Sequence, residues 1–139
     1  MRFMVIVKAT PEQEASGGAM PSAEDLELMG KFNEELVRAG VMLAGEGLLP
    51  SAKGAKVSFD HGKTTVTDGP FTEAKELIAG FWLLQTRSME ETVEWAKRIP
   101  FQEGEVEIRQ ISELEDFEPV MTPEIAEREQ RLRDQLSGN

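Results

Sequence analysis

Nine consecutive residues, Asp68-Gly-Pro-Phe-Thr-Glu-Ala-Lys-Glu76, concentrate the side chains of this sequence that could do chemistry. Asp68, Glu73 and Glu76 could transfer a proton, because crowded or partly buried carboxyl groups serve proteins as general acids and bases. Lys75 could hold negative charge on a ligand, and Phe71 could contact its apolar part. The motif therefore predicts a small-molecule site, with an ordinary polar surface loop as the alternative.

Two residues outside this motif are candidate partners for the same site. Glu46 stands between two glycines, and a carboxylate in that setting can lie where a ligand closely approaches the backbone. Arg109 lies in a predicted strand and could pair with an acidic group of a substrate or with Asp68. For both residues the alternative is a surface ion pair that contributes little stability.

Composition narrows the possible functions. The chain has 139 residues, no cysteine and a net charge of −11. The lack of cysteine excludes disulfides and thiolate chemistry, and the negative charge opposes general binding to nucleic acid or anionic membranes. No phosphate-binding loop, dinucleotide fingerprint or Ser-His-Asp arrangement is recognisable, so we expect neither a cofactor nor a metal site. With no run approaching the about 20 apolar residues of a membrane helix and no recognisable leader peptide, we expect a cytoplasmic protein.

Hydrophobic periodicity and capping residues predict the elements that position these side chains. Strands are predicted over Arg2–Ala9, Val41–Leu49, Ala55–Phe59, Thr64–Thr67, Ile78–Thr86 and Glu105–Ile111. Helices are predicted to begin at Ser22, Ser88 and Thr122-Pro123. Residues 10–21 are rich in glycine, serine and proline, which predicts a loop able to act as a lid. The single histidine, His61, falls in a predicted hairpin turn, where polar residues are common.

Without the predicted hairpin, the order of elements is βαββαβ, the ferredoxin-like arrangement of an α+β domain. Both helices then cover one face of an antiparallel sheet, so we expect a homodimer to cover the other face. This domain is predicted over residues 1–111, and an acidic linker with an extra C-terminal helix over residues 112–139. The large aromatic side chains are expected in the core or at the dimer interface; they are Phe3, Phe59, Phe71, Phe81 and Trp82.

The motif from Asp68 to Glu76 resembles the signature of the DGPF subgroup of the YCII-related proteins. Similar features surround it: an opening Met4-Val5-Ile6-Val7 strand, the Gly45 to Pro50 stretch, and Gly80-Phe81-Trp82 after the motif. The resemblance covers about residues 1–111 and implies a dimeric α/β barrel of ferredoxin-like halves. It implies no settled reaction, although some members are labelled as transcription-related because of a genomic association with sigma factors.

Other branches of that family are thought to use a histidine on the first helix together with an aspartate. The first predicted helix of this chain contains no histidine, so carboxylates would have to carry any catalysis. One hypothesis is an enzyme that acts by acid/base chemistry on a small, cyclic or carbonyl-containing molecule. The other is a non-catalytic dimer that binds a small ligand or a protein, with the acidic C-terminal helix as the contact element.

Overall fold

A four-stranded antiparallel sheet with strand order β2-β5-β1-β6 forms the centre of the molecule. A computed structural model describes residues 1–15 and 21–138. The strands are β1 (Arg2–Lys8), β2 (Met42–Gly47), β3 (Ala55–Asp60), β4 (Lys63–Asp68), β5 (Ile78–Gln85) and β6 (Val106–Gln110). Within the described residues the α-helices are α1 (Pro11–Ala15), α2 (Ala23–Arg38), α3 (Met89–Ala96) and α4 (Pro123–Leu136).

The hairpin β3–β4 forms a separate two-stranded sheet. The remaining order, β1, α2, β2, β5, α3, β6, with β1 between β5 and β6, is the predicted ferredoxin-like α+β arrangement. The hairpin turns at His61 and Gly62, which both have positive φ (46° and 89°), as a tight two-residue turn requires. The prediction that His61 is a turn residue is therefore confirmed.

The long helices begin where the capping residues predict. Asp25 and Ser22 form a capping box at α2, with Asp25 N donating to Ser22 Oγ at 3.0 Å. Ser88 caps α3 in the same way, since its hydroxyl accepts from the backbone of Glu91 at 3.1 Å. At α4, Thr122 is the cap and proline occupies the first turn. Local signals therefore set these three starting points.

The core lies between the sheet and helices α2 and α3. Strand register places Val5, Trp82 and Ile108 side by side on the helix-covered face. The buried apolar cluster consists of Val5, Phe32, Leu36, Val41, Trp82, Leu84 and Ile99. Burial of one such side chain contributes about 1.5–3 kcal/mol, so this cluster is the main support of the sheet–helix layer.

One sequence prediction is wrong, and another is narrowed to its second alternative. The predicted loop from residue 10 onward is partly helical, because Thr10 caps α1 through bonds with Gln13 and Pro11 occupies its first turn. Residues 16–20 lie outside the described residues, so the lid remains a prediction. Phe59 is 79% exposed on the hairpin, so it does not belong to the core of this chain, and its place at a dimer interface remains a prediction.

The C-terminal segment is tied to the first strand by an ion pair. The guanidinium of Arg2 donates to both carboxylate oxygens of Glu113, at 2.8 and 3.1 Å. The hydrogen bond from Arg2 lowers the pKa of Glu113 below its usual range. Helix α4 then follows, with its apolar side chains largely exposed, including Leu136 at 87%. None of the helices in the described part of the chain is both long enough and apolar enough to cross a membrane.

Candidate functional site

A cleft of about 1200 Å³ opens at the end of the sheet where β1 finishes and β5 begins. Helix α1, the first half of α2, the end of β2 and the loop of residues 100–105 enclose it. Its apolar lining includes Val7, Leu26, Met29, Phe81, Trp82 and Phe101. Ligand pockets commonly measure about 300–1000 Å³, so this cleft is large enough for a drug-sized organic molecule.

Trp82 and Asn33 form a fixed polar contact in this cleft. Trp82 is 7% exposed, and its ring meets Phe32 edge to face with the ring centroids 5.8 Å apart. The indole N–H donates to the side-chain oxygen of Asn33 at 2.9 Å. The sequence predicts that a buried Trp82 needs such a partner, but it does not reveal Asn33. The available signal is the spacing of Asn33, four residues after Met29, beside the buried stripe of α2.

Glu46 borders the same cleft from strand β2. It lies opposite Phe81 in the β2–β5 pairing, whereas Gly45 lies opposite Trp82. Because side chains alternate along a strand, Glu46 and Phe81 point to the face of the sheet that α2 and α3 leave open. Within the described parts of the chain, Glu46 makes no ion pair or side-chain hydrogen bond.

The motif loop contributes Lys75 to the cleft, but its other predicted residues lie outside the lining. Asp68 is the exposed last residue of β4, opposite Ala55, and Glu73 is exposed at the start of a short 3₁₀ turn. Glu76 pairs with Lys56 at 3.1 Å, and that ammonium also stands 4.8 Å from the centre of the Phe71 ring. Of the seven predicted site residues, Glu46 and Lys75 thus line the cleft.

Ser51 holds the motif loop in place. Its hydroxyl accepts from the backbone N–H of Phe71 at 2.9 Å. Its own backbone N–H donates to the carboxylate of Glu14 on α1, at 3.0 and 3.2 Å. Gly69, whose bond to Pro70 is cis, lies against the carbonyl oxygen of Ser51. Ser51 therefore connects the motif loop to a helix that lines the cleft.

Arg109 pairs with its neighbour Glu107, with Nη1 3.3 Å from the carboxylate, rather than with Asp68. Lys8 approaches the same carboxylate at 3.5 Å. The hydrogen bond from Arg109, with the charge of Lys8, lowers the pKa of Glu107. Glu107 lines the cleft and Arg109 does not.

Most of the charged side chains that line the cleft are acidic. The carboxylates are Glu14, Asp25, Glu46, Glu103, Glu105 and Glu107, and the ammonium groups are Lys8 and Lys75. Because clefts lined by one sign of charge concentrate ions of the opposite sign, this lining disfavours strongly anionic ligands. Among the described residues, no group of three histidine, aspartate or glutamate side chains is placed to hold a metal ion.

Comparison with known proteins gives three results. The family model of the YCII-related domain matches residues 1–115. An uncharacterized protein of Rhizobium meliloti (strain 1021) is 36% identical over 61 residues, which make up 44% of this chain and 49% of that protein. The chain thus spans about half the length of the curated relative it matches. A 5-chloro-2-hydroxyhydroquinone dehydrochlorinase structure from Burkholderia phenoliruptrix AC1100, in complex with 2,5-dihydroxybenzoquinone, aligns with a TM-score of 0.40 and 13% identity, covering 84% of this chain and 98% of that one.

Proposed function

The chain belongs to the YCII-related family, and we propose that it is an enzyme that moves a proton on a small organic molecule bound in the cleft. The observation that carries this proposal is the lining of the cleft, where Glu46 and Lys75 border apolar and aromatic side chains. Convergent polar groups in a large apolar cleft are typical of substrate sites.

Glu46 is the best candidate for the proton-transfer group. Glu107 is engaged by Arg109 and Lys8, which lower its pKa and make it a weak base. Glu14 accepts from the backbone of Ser51, and Asp25 caps α2. Glu46, by contrast, has no such partner in the described residues and lies on a strand, which holds a functional group more precisely than a loop does.

The substrate class follows from the two polar groups. A carboxylate base can remove a proton from a carbon next to a carbonyl, and the negative charge then moves to the carbonyl oxygen. The ammonium of Lys75 would stabilise that oxygen. We therefore propose a neutral cyclic or carbonyl-containing substrate, with Glu46 as the base and Lys75 as the charge-stabilising group.

The motif carboxylates Asp68, Glu73 and Glu76 compete with Glu46 for the catalytic role. Their place in the proposal rests on the motif at residues 68–76, which also supports assigning the chain to the DGPF subgroup. The ion pair between Glu76 and Lys56, and the position of Asp68 and Glu73 outside the lining of the cleft, favour a role in shaping the loop. Variants of Glu46 and variants of the motif carboxylates distinguish a catalytic role from a role in shaping the loop.

Proton exchange into solvent tests the proposal without knowledge of the full reaction. Cyclohexanone and γ-butyrolactone are incubated with the protein in D₂O, and loss of the protons next to the carbonyl is followed by NMR. We expect wild-type protein to accelerate exchange and Glu46→Gln to lower the rate by about 10²–10⁴-fold, the usual contribution of a general base. Glu115→Gln, an exposed carboxylate outside the cleft, is the matched control.

The exchange rates of these variants show which carboxylate transfers the proton. Loss of exchange in Asp68→Asn or Glu73→Gln, with Glu46→Gln unaffected, would transfer the catalytic role to the motif. Binding without exchange would favour the non-catalytic hypothesis, which the exposed apolar residues Ile125, Leu132 and Leu136 of α4 also support as a contact surface for a protein. In this non-catalytic alternative, the proposed protein partner is a sigma factor or a protein that acts with one.

We also propose that the protein is a cytoplasmic homodimer built as a dimeric α/β barrel. Met4, Ile6, Phe81 and Leu83 are half-buried on the sheet face that α2 and α3 do not cover. Apolar side chains on an uncovered sheet face are commonly buried between two copies. Light scattering measures the mass directly, and a monomeric mass at micromolar concentration would contradict this proposal.

A further inference from the structure

We propose that Asn33 recognises an acceptor oxygen of the ligand, either a carbonyl or a hydroxyl oxygen, through its side-chain NH₂ group. This inference rests on the proposed binding of a small molecule in the cleft. It does not depend on which carboxylate transfers a proton. It adds to the site a residue that lies outside the motif of residues 68–76.

The hydrogen bond to Trp82 fixes the orientation of the Asn33 amide. An indole N–H can only donate, so the group that faces it at 2.9 Å must be the side-chain oxygen of Asn33. The amide is planar, and its NH₂ group is therefore directed away from the indole. Oxygen and nitrogen of an asparagine are normally assigned from such networks, and here the partner leaves one choice.

Trp82 itself has little freedom to move, which keeps the amide in place. Its indole is buried, meets Phe32 edge to face, and passes over the backbone of Gly45 on the neighbouring strand. A donor held by a buried aromatic group loses little conformational freedom when a ligand binds. The amide of Asn33 is thus preorganised before any ligand arrives.

The NH₂ group of Asn33 is available to a ligand. Asn33 is half-buried and lines the cleft. Across residues 1–15 and 21–138, the hydrogen bonding of its side chain consists of the bond accepted from Trp82, and its side-chain nitrogen donates to no protein group. The two N–H donors of this cleft-lining residue match a carbonyl or hydroxyl oxygen, whereas an ammonium group offers them no acceptor.

A pair of ligands that differ only in the acceptor oxygen tests this inference. Acetophenone and α-methylstyrene have the same shape, but the second carries a CH₂ group in place of the carbonyl oxygen. Binding is followed by ¹H–¹⁵N NMR, in which the side chains of Trp82 and Trp95 give two indole signals. Trp95→Phe assigns the Trp82 signal.

The variant Asn33→Asp separates recognition from structural support. Aspartate keeps an oxygen to accept from Trp82 but offers no N–H to the ligand. A Trp82 indole N–H that still exchanges slowly with solvent would show that this hydrogen bond and the local structure are intact. Asn33→Leu removes both interactions and serves as the second variant.

In wild-type protein we expect acetophenone to bind about fivefold to tenfold more tightly than α-methylstyrene, the usual effect of one hydrogen bond. In Asn33→Asp we expect that preference to disappear while the Trp82 indole N–H stays protected from solvent exchange. Equal binding of the two ligands to wild type, or a preference that survives in Asn33→Asp, would overturn the role of Asn33 and leave the cleft site standing. Failure of both ligands to shift any residue of the cleft would overturn the proposed site and this inference with it.

Discussion

Gly45 and Trp82 lie opposite each other on adjacent strands, and the indole of Trp82 occupies the space that a side chain at position 45 would fill. A Cβ atom at position 45 would lie 3.0 Å from Cδ1 of Trp82 and 2.7 Å from Cε of Met42. Such distances are too short for ordinary contacts. The flexible end of Met42 can move aside, but the buried indole cannot do so freely.

We predict that Gly45→Ala displaces Trp82 and lowers the free energy of unfolding by about 1–3 kcal/mol, as overpacking of a core usually does. Urea unfolding measures the loss, and the indole NMR signal of Trp82 reports its displacement. Gly47→Ala on the same strand is the control, because a Cβ there meets nothing within 4 Å. Equal stability of the two variants would contradict the explanation.

Gly69 of the motif is required to be glycine for a different reason. A Cβ at Gly69 would lie 1.7 Å from the carbonyl oxygen of Ser51, which is a backbone atom and cannot rotate away. We predict that Gly69→Ala lowers the free energy of unfolding by about 2–4 kcal/mol, because the motif loop must leave Ser51. Gly54→Ala is the control, since its nearest neighbour would be at an ordinary 3.5 Å.

The pair of Arg2 and Glu113 predicts a dependence of stability on pH. Because the pKa of Glu113 is lowered in the folded state, its contribution is present above the usual carboxyl pKa and is lost as pH falls through the lowered value. We expect Glu113→Gln to cost about 1 kcal/mol in free energy of unfolding at pH 7, as a bidentate pair near the surface would. Compared by thermal unfolding, wild type and variant should begin to converge as pH falls below the usual carboxyl pKa of 4.5 and should coincide below the lowered pKa of Glu113.

Glu115→Gln is the matched control for this prediction, because Glu115 is an exposed neighbour in the same turn. We expect its difference from wild type to be small and independent of pH. A Glu113→Gln deficit that persists unchanged at acidic pH would mean that packing, rather than charge, gives the residue its effect.

The acidic side chains of the lining predict that the cleft binds cationic ligands more tightly than anionic ones. Benzamidine and benzoate are planar molecules of similar shape with opposite charge. We predict that benzamidine binds more tightly at low salt, and that the difference shrinks as salt screens the carboxylates, over a Debye length of about 8 Å at physiological ionic strength. Titration calorimetry at two salt concentrations measures both effects, and tighter binding of benzoate would contradict the electrostatic argument.

Local sequence signals predicted the elements of this fold because the responsible interactions span only a few residues. The cap of Ser22 with Asp25 and the turn at His61 and Gly62 are examples. Helix α1, which was not predicted, begins by the same local rule. Its Thr10-Pro11 pair matches the Thr122-Pro123 pair that starts α4. The cluster of serine and glycine that follows favoured a loop instead.

The site was harder to predict because its geometry depends on residues far apart in sequence. Nothing in the motif indicates that Glu76 will pair with Lys56 or that Phe71 will bond to Ser51, each 20 residues away. Such pairs neutralise or bury side chains that look reactive in the sequence. Conversely, Asn33 looks like any polar residue of a helix until the fold places the indole of Trp82 beside it. The division of the chain near residue 111 remains a prediction.

The hairpin β3–β4 leaves the main sheet and returns to nearly the same point. The backbone N–H of Gly69 donates to the carbonyl of Gly54 at 3.0 Å, so the two ends of the excursion are already joined. Residues 55–68 also take no part in the hydrogen bonding of the main sheet. The hairpin is thus attached as a module, and we expect that its length can change beyond Lys56 while the main sheet keeps its hydrogen bonds.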